Sequence, residues 1–214
     1  MGLYNTQGLL NGYKKNNKER EELDYYATPS QEVTNILDIL SLNLDCQTVL
    51  EPCAGGGHMV QGILEYTNKN NQHPILIATD VKDRNGGFDK VGTEFDFLSD
   101  SYFCGSDDVN YIIMNPPYST IEPFVIRGLE IAQNGLLVLG RLQFLEGKSR
   151  YENLLKNNPP TDVYVYVDRI KCFKNGDFTQ TEASAQAYAW FYWDKGKLHD
   201  NNNVITNLHW IRRK

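Results

Sequence analysis

The fold of this chain is decided by Thr48–Tyr66, TVLEPCAGGGHMVQGILEY. Thr48–Glu51 is a short strand-forming run that ends on an acid. From His58 the period changes, with Met59, Ile63 and Tyr66 falling on one face of a helix. Between the two lie Pro52, Cys53, Ala54 and three consecutive glycines, Gly55–Gly57. Glycines let a ligand approach the backbone closely, and the start of a helix offers unpaired N–H groups. The turn is read as a ligand site, with strand–helix packing alone as the alternative. No Gly-Lys-Ser/Thr follows, so it is not a P-loop, and it is not the G-x-G-x-x-G fingerprint either.

On either side, strands and helices alternate. TPSQEVTNILDIL (28–40) predicts a helix with Ser30 as N-cap and Val33, Ile36, Leu37 and Leu40 on its apolar stripe. ILIATD (75–80) is a strand that ends on Asp80, where an acceptor for a ribose hydroxyl would sit in this topology, although a loop-capping role explains it equally well. YIIM (111–114) is a strand, TIEPFVIRGLEIAQ (120–133) a helix, GLLVLG (135–140) a strand and KSRYENLLK (148–156) a helix. Near-continuous apolar strands between amphipathic helices predict an α/β fold with a parallel sheet covered on both faces. DVYVYVD (162–168) and QAYAWFYWD (186–194) are alternating aromatic runs, read as an antiparallel pair closing one edge.

At 214 residues, with 41% hydrophobic and 22% charged, the protein is expected to form one folded domain, 25–214, behind a polar arm, 1–24, read as flexible or ordered by substrate. No apolar run approaches the roughly 20 residues of a membrane span, and cytoplasm is the default location. Cys46, Cys53, Cys104 and Cys172 are scattered, with no C-x-x-C pair, and predict reduced thiols and no metal centre. His58, His73, His199 and His209 are explicable as packing or surface residues. A net charge of -6 argues against gripping a long nucleic acid by charge alone. Arg141, Lys148, Arg150, Arg169, Lys171 and Lys174 nevertheless fall in one segment. Of these, Arg141, Lys148 and Arg150 are the candidates for substrate backbone contact, a solvated surface being the alternative.

The sharpest signal is Asn115-Pro116-Pro117-Tyr118, which stops the YIIM strand dead. Prolines cannot continue a central strand, and a chance occurrence of this tetrapeptide in a sequence of this length is on the order of one in a thousand. Taken in order, the glycine turn, the strand-end acids and NPPY resemble the S-adenosylmethionine-dependent adenine-N6 DNA methyltransferases, most closely the short phage and prophage type, over roughly 25–193. The resemblance implies a Rossmann-like methyltransferase fold, a mostly parallel seven-stranded sheet with an antiparallel terminal hairpin. It implies S-adenosylmethionine as cofactor, held near its methionine portion by Tyr26, Thr28 and Pro29 of YYATP. Glu51, Pro52, Cys53, Ala54, Gly55 and Gly57 would form the main loop, Asp80 would take the ribose, and Asp96 with Phe97 the adenine.

The implied reaction gives the NPPY residues their roles. An amine on an aromatic ring is planar, its lone pair spread into the π system, and it is a poor nucleophile. Two acceptors that each take one of its N–H bonds favour the pyramidal form that develops as a methyl group arrives. Asn115 supplies the carbonyl of its amide and Pro116 that of its backbone, while the prolines fix the backbone without adding an N–H donor. Tyr118 offers a face on which a base can stack. No general base of raised pKa is needed. DNA is favoured over RNA as partner; an RNA base amine, a protein glutamine or a non-catalytic cofactor-binding role are the alternatives. No segment is long enough to be a separate target-recognition domain.

Overall fold

The computed structural model describes residues 25–82, 91–92, 95–99, 108–179, 186–199 and 205–213. The arm 1–24, Cys104 and part of the loop 172–186 lie outside them. In sequence order the elements are β1 (Tyr26–Ala27), α1 (Ser30–Leu40), β2 (Thr48–Glu51), α2 (His58–Lys69), β3 (Ile75–Thr79), β4 (Val91–Gly92), β5 (Tyr111–Met114), α3 (Ile121–Ile131), β6 (Gly135–Arg141), α4 (Lys148–Arg150, continued by a wider turn, Tyr151–Leu155), β7 (Asp162–Tyr166), β8 (Phe173–Lys174), β9 (Tyr188–Asp194), α5 (Lys195–His199) and β10 (Asn207–Ile211).

The main sheet runs β10-β7-β9-β6-β5-β2-β3-β4. β4, β3, β2, β5 and β6 are mutually parallel, and β9 lies antiparallel between β6 and β7. The expected seven-stranded sheet with its antiparallel β7/β9 pair is present. An eighth strand, β10, extends it, parallel to β7, so that β10 and not the aromatic pair closes that edge.

Both faces are covered, and the strands alternate accordingly. Ile112 and Met114 of β5, Leu136 and Val138 of β6, and Phe191 and Trp193 of β9 pack on the α3 side. Ile113, Leu137, Leu139, Trp190 and Tyr192 face the layer of α1 and α2. The helix stripes read from sequence lie where expected: Val33, Ile36 and Leu37 are buried in α1, and Met59, Ile63 and Tyr66 in α2. One detail differs. Pro29, with φ −56° and ψ 135°, is the N-cap of α1 and Ser30 its first helical residue, so the helix starts without a hydroxyl cap. The Ser30 hydroxyl turns instead toward Glu65, at 3.4 Å.

This order places the site. The backbone runs outward from β2 through β3 to β4, then returns to lay β5 on the other side of β2. The crevice beyond the carboxyl ends of β2 and β5 is a topological switch point, where open parallel sheets bind their ligands. Leu50 stands opposite Ile112, so β2 ends on Glu51 close to the level at which β5 gives way to Asn115.

Candidate active site

Glu51 closes β2 and points into the start of α2, where the Val60 backbone N–H reaches its carboxyl group. The turn that follows needs glycine at two positions: Gly55 and Gly57 have φ of 54° and 77°, the left-handed region. The Ala54 N–H donates to Thr79 C=O at 2.9 Å, and the Gly55 N–H donates to Asp80 Oδ2 at 2.8 Å. Asp80 therefore pins the glycine turn to the end of β3. Its other oxygen accepts the Lys82 N–H at 2.9 Å. Its first structural task is to shape the loop.

Burial pushes Glu51 well above the usual carboxylate range, and the neighbouring Asp80 adds to the effect. Its Oε2 is buried without a hydrogen-bond partner. Burial likewise pushes up the Cys53 thiol, with Glu51 and Asp80 adding to it and the Asn115 backbone N–H opposing. Cys53 thus joins the glycine turn to the NPPY segment.

The tetrapeptide itself is held from three sides. The Asn115 Nδ2 donates to the Tyr26 C=O and to Thr28 Oγ1, each at 2.9 Å. A backbone carbonyl can only accept, so the amide is oriented with its nitrogen toward β1. Asn115 Oδ1 is left buried with no partner. The Pro117 C=O accepts from the Thr120 N–H at 3.0 Å, which starts the turn into α3.

Tyr118 donates its hydroxyl to that of Tyr188 at 3.0 Å, and its ring centroid lies 5.3 Å from that of Tyr26. Burial, then Cys172 and Tyr188, raise its pKa, which keeps the phenol neutral. The expected open stacking face is occupied: the Arg141 guanidinium lies over the ring, 4.2 Å from its centroid. Of the three candidate substrate cations, Arg141 alone is brought to the site by these contacts. Arg150 is a correction. Its Nη1 donates to the carbonyls of Gln143, Phe144 and Glu146, at 3.3, 2.9 and 2.8 Å, and its Nε lies 3.8 Å from Glu122. It holds its own loop together. Lys148 stands exposed at the start of α4.

One further residue differs in detail from expectation. Phe97 is 2% exposed, with its ring 5.4 Å from that of Phe124 in the core. Any ligand contact there falls to its backbone, while Asp96 is exposed beside it. The segment is in place, since the Phe95 N–H donates to the Asp80 C=O at 2.8 Å.

Tyr25 and β8 carry no sequence signal for the role they take. β8 pairs antiparallel with β1, Tyr26 opposite Lys174, and the Asn175 N–H donates to the Tyr25 C=O at 2.8 Å. This lays the Tyr25 ring on the glycine turn: its hydroxyl accepts the Gly56 N–H at 2.7 Å, and a Cβ on Gly55 would overlap the ring. Phe178 stacks on Phe173 at 4.4 Å and tilts over His58 at 4.8 Å. A small open cleft lies beneath, lined by Tyr25, Tyr26, Thr28, Glu51, His58 and Asn115 among others.

No family model matches the sequence, and no curated protein matches it. Solved structures do. The methyltransferase subunit of a type I restriction-modification system from Streptococcus thermophilus superposes with TM-score 0.60 at 12% identity, over 87% of this protein and 47% of that one. A Listeria monocytogenes protein assigned to the class I S-adenosylmethionine-dependent methyltransferases gives 0.61 at 13%, over 95% and 72%. A Pyrococcus horikoshii protein assigned as an RNA methyltransferase gives 0.56 at 18%, over 88% and 97%. The protein thus spans about half the length of the restriction-modification subunit it matches. The strand order, the switch-point site and these superpositions together give it the Rossmann-like fold of the S-adenosylmethionine-dependent methyltransferases.

Proposed function

We propose that this protein transfers a methyl group from S-adenosylmethionine to the exocyclic N6 amine of adenine in DNA. The observation that carries the proposal is the orientation of Asn115. Both protons of its amide nitrogen are spent on the Tyr26 C=O and Thr28 Oγ1, and a buried carbonyl oxygen without a partner is left at the end of the strand. A buried acceptor left without a donor costs about 1–3 kcal/mol. A planar amine donates the missing bond.

The residues fit the cofactor. Once the Tyr25 ring leaves the glycine turn that it covers, the backbone of Gly55–Gly57 allows close approach; the start of α2 offers N–H groups, and Glu51 Oε2 is buried without a partner. Tyr26 and Thr28 border the cleft and Pro29 follows them, while Asp80 holds the Gly55 N–H and the N–H of Phe95, the residue that precedes Asp96. When bound, the cofactor supplies a methyl group activated by its positively charged sulfur. Asn115 Oδ1 takes one N–H of the target amine, and the Pro116 carbonyl takes the other. These two acceptors draw the nitrogen toward the pyramidal form, in which its lone pair is free to make the new N–C bond. The proton leaves the nitrogen afterwards, to water, so no residue has to act as a strong base. Tyr118 offers its ring face to the target base, and the rigid Pro116-Pro117 backbone holds the acceptors in place.

Because an RNA base amine or a protein glutamine has the same planar geometry, the test is a panel. Purified protein with methyl-labelled S-adenosylmethionine is offered single- and double-stranded DNA, RNA and protein. Label entering DNA supports the reading; label confined to RNA or protein, or entering nothing, overturns it.

A further inference from the structure

Arg141 ends β6 beside the site, because Met114 pairs with Val138 and Arg141 with Tyr188. Its guanidinium lies on the face of Tyr118, 4.2 Å from the ring centroid, and contacts Tyr188. Its Nε is buried without a hydrogen-bond partner, and among the described residues no carboxylate pairs with it. The Nε atoms of Arg127 and Arg150 likewise make no hydrogen bond, but each of those side chains has a carboxylate beside it: Glu122 lies 3.8 Å from Arg150 and Glu130 lies 3.6 Å from Arg127. On the Tyr118–Tyr188 pair, then, stands an arginine whose charge no described carboxylate neutralises.

We propose that Arg141 takes the phosphate flanking the target nucleotide, and that until this phosphate draws it away its guanidinium covers the face of Tyr118 on which the base would stack. The inference rests on the nucleic-acid reading above and names the feature of the substrate that opens the site. A guanidinium on an aromatic face is weakly tethered, whereas a phosphate offers it two parallel charge-assisted hydrogen bonds. The uncovered ring then receives a base, which stacks on it as the cation did. Phosphate capture and exposure of the stacking face become one event. A nucleotide within a strand is accepted, and a free base or nucleoside, lacking the phosphate, leaves Tyr118 covered.

The test is a cycle between the arginine and the phosphate. Wild type, Arg141→Ala and Arg141→Lys are assayed by single-turnover transfer to a synthetic DNA holding one target adenine. The phosphates on either side of the target are replaced, one at a time, by neutral methylphosphonates. On the unmodified strand Arg141→Ala should lose about 10- to 100-fold in kcat/KM, and Arg141→Lys less, since it keeps charge but not the fork. Neutralising one particular linkage should cost wild type a similar factor but cost Arg141→Ala no more than about threefold. Cofactor Kd should be the same in all three proteins, which excludes misfolding as the cause. If Arg141→Ala transfers as well as wild type, or loses as much as wild type at every linkage, the inference is overturned while the proposed function stands. A wild type that methylates no nucleic acid overturns both.

Discussion

Replacing Asn115 by alanine removes two hydrogen bonds and one unpartnered acceptor, and the two losses are measured separately. The bonds are those from Nδ2 to the Tyr26 C=O and to Thr28 Oγ1, each 2.9 Å. At about 0.5–1.5 kcal/mol apiece they contribute about 1–3 kcal/mol to folding. In a protein of this size each kcal/mol moves Tm by about 2–4 °C, so a loss near 2 kcal/mol lowers it by about 4–8 °C. Against a typical stability of about 5–15 kcal/mol, the variant stays over about 95% folded at 25 °C. Loss of the oxygen relieves the cost of an unpartnered buried acceptor and so offsets part of that fall in Tm, while in the reaction it weighs most in the transition state. Removing one preorganised hydrogen-bonding partner of developing charge costs about 10²- to 10³-fold in rate. Cofactor affinity should fall by less than about tenfold, because among the described residues the amide's hydrogen bonds reach the cofactor segment at the Tyr26 C=O and Thr28 Oγ1 alone. Thr28→Val is the control: it forfeits one of the two bonds but keeps the oxygen, so it should share part of the Tm loss while slowing transfer less than about tenfold. Single-turnover transfer, calorimetric cofactor binding and a thermal melt on the same preparations give all three numbers. An Asn115→Ala protein that melts early yet transfers within about tenfold of wild type would refute the claim that Oδ1 receives the amine.

Three other outcomes follow from the site. Burial holds the Glu51 pKa above its ordinary value of 4.5, so the folded protein keeps a proton that the unfolded one releases. Its contribution is therefore full below about pH 4.5 and is lost as pH rises toward the folded pKa, at about 1.4 kcal/mol per pH unit. Glu51→Gln should flatten that fall in urea midpoint between pH 4.5 and 7; parallel profiles for the two proteins would contradict it. Tyr25→Ala should tighten cofactor binding by calorimetry, because the ring and hydroxyl of Tyr25 cover the Gly55 and Gly56 backbone. A tenfold weakening would instead make Tyr25 part of the cofactor's wall. Arg150→Ala should lower the urea midpoint by freeing three carbonyls of its loop, while leaving the salt dependence of DNA binding unchanged.

What could be read from sequence depended on how much of each element is buried. β5, β6 and β9 are covered on both faces, so their apolar and aromatic runs stand out. NPPY and the glycine turn stand out in the sequence because each breaks off an apolar strand with residues that cannot continue it. β10 was not, because NLHWI exposes Leu208 and Trp210 and buries only Ile211, which leaves no alternation to detect. β1 and β8 are two residues each, too short for any period. The direction of a side chain was the other blind point. That Phe97 turns into the core, that Arg150 turns onto its own loop and that Tyr25 lies on a turn about thirty residues away are tertiary facts. Local pattern carries none of them.

The most direct test is nucleoside analysis of DNA after incubation with wild-type protein and methyl-labelled S-adenosylmethionine. The label should be recovered as N6-methyladenine, and none should be recovered with Asn115→Ala. Label on any other nucleoside, or unlabelled DNA from a protein that binds the cofactor, would contradict the proposed reaction.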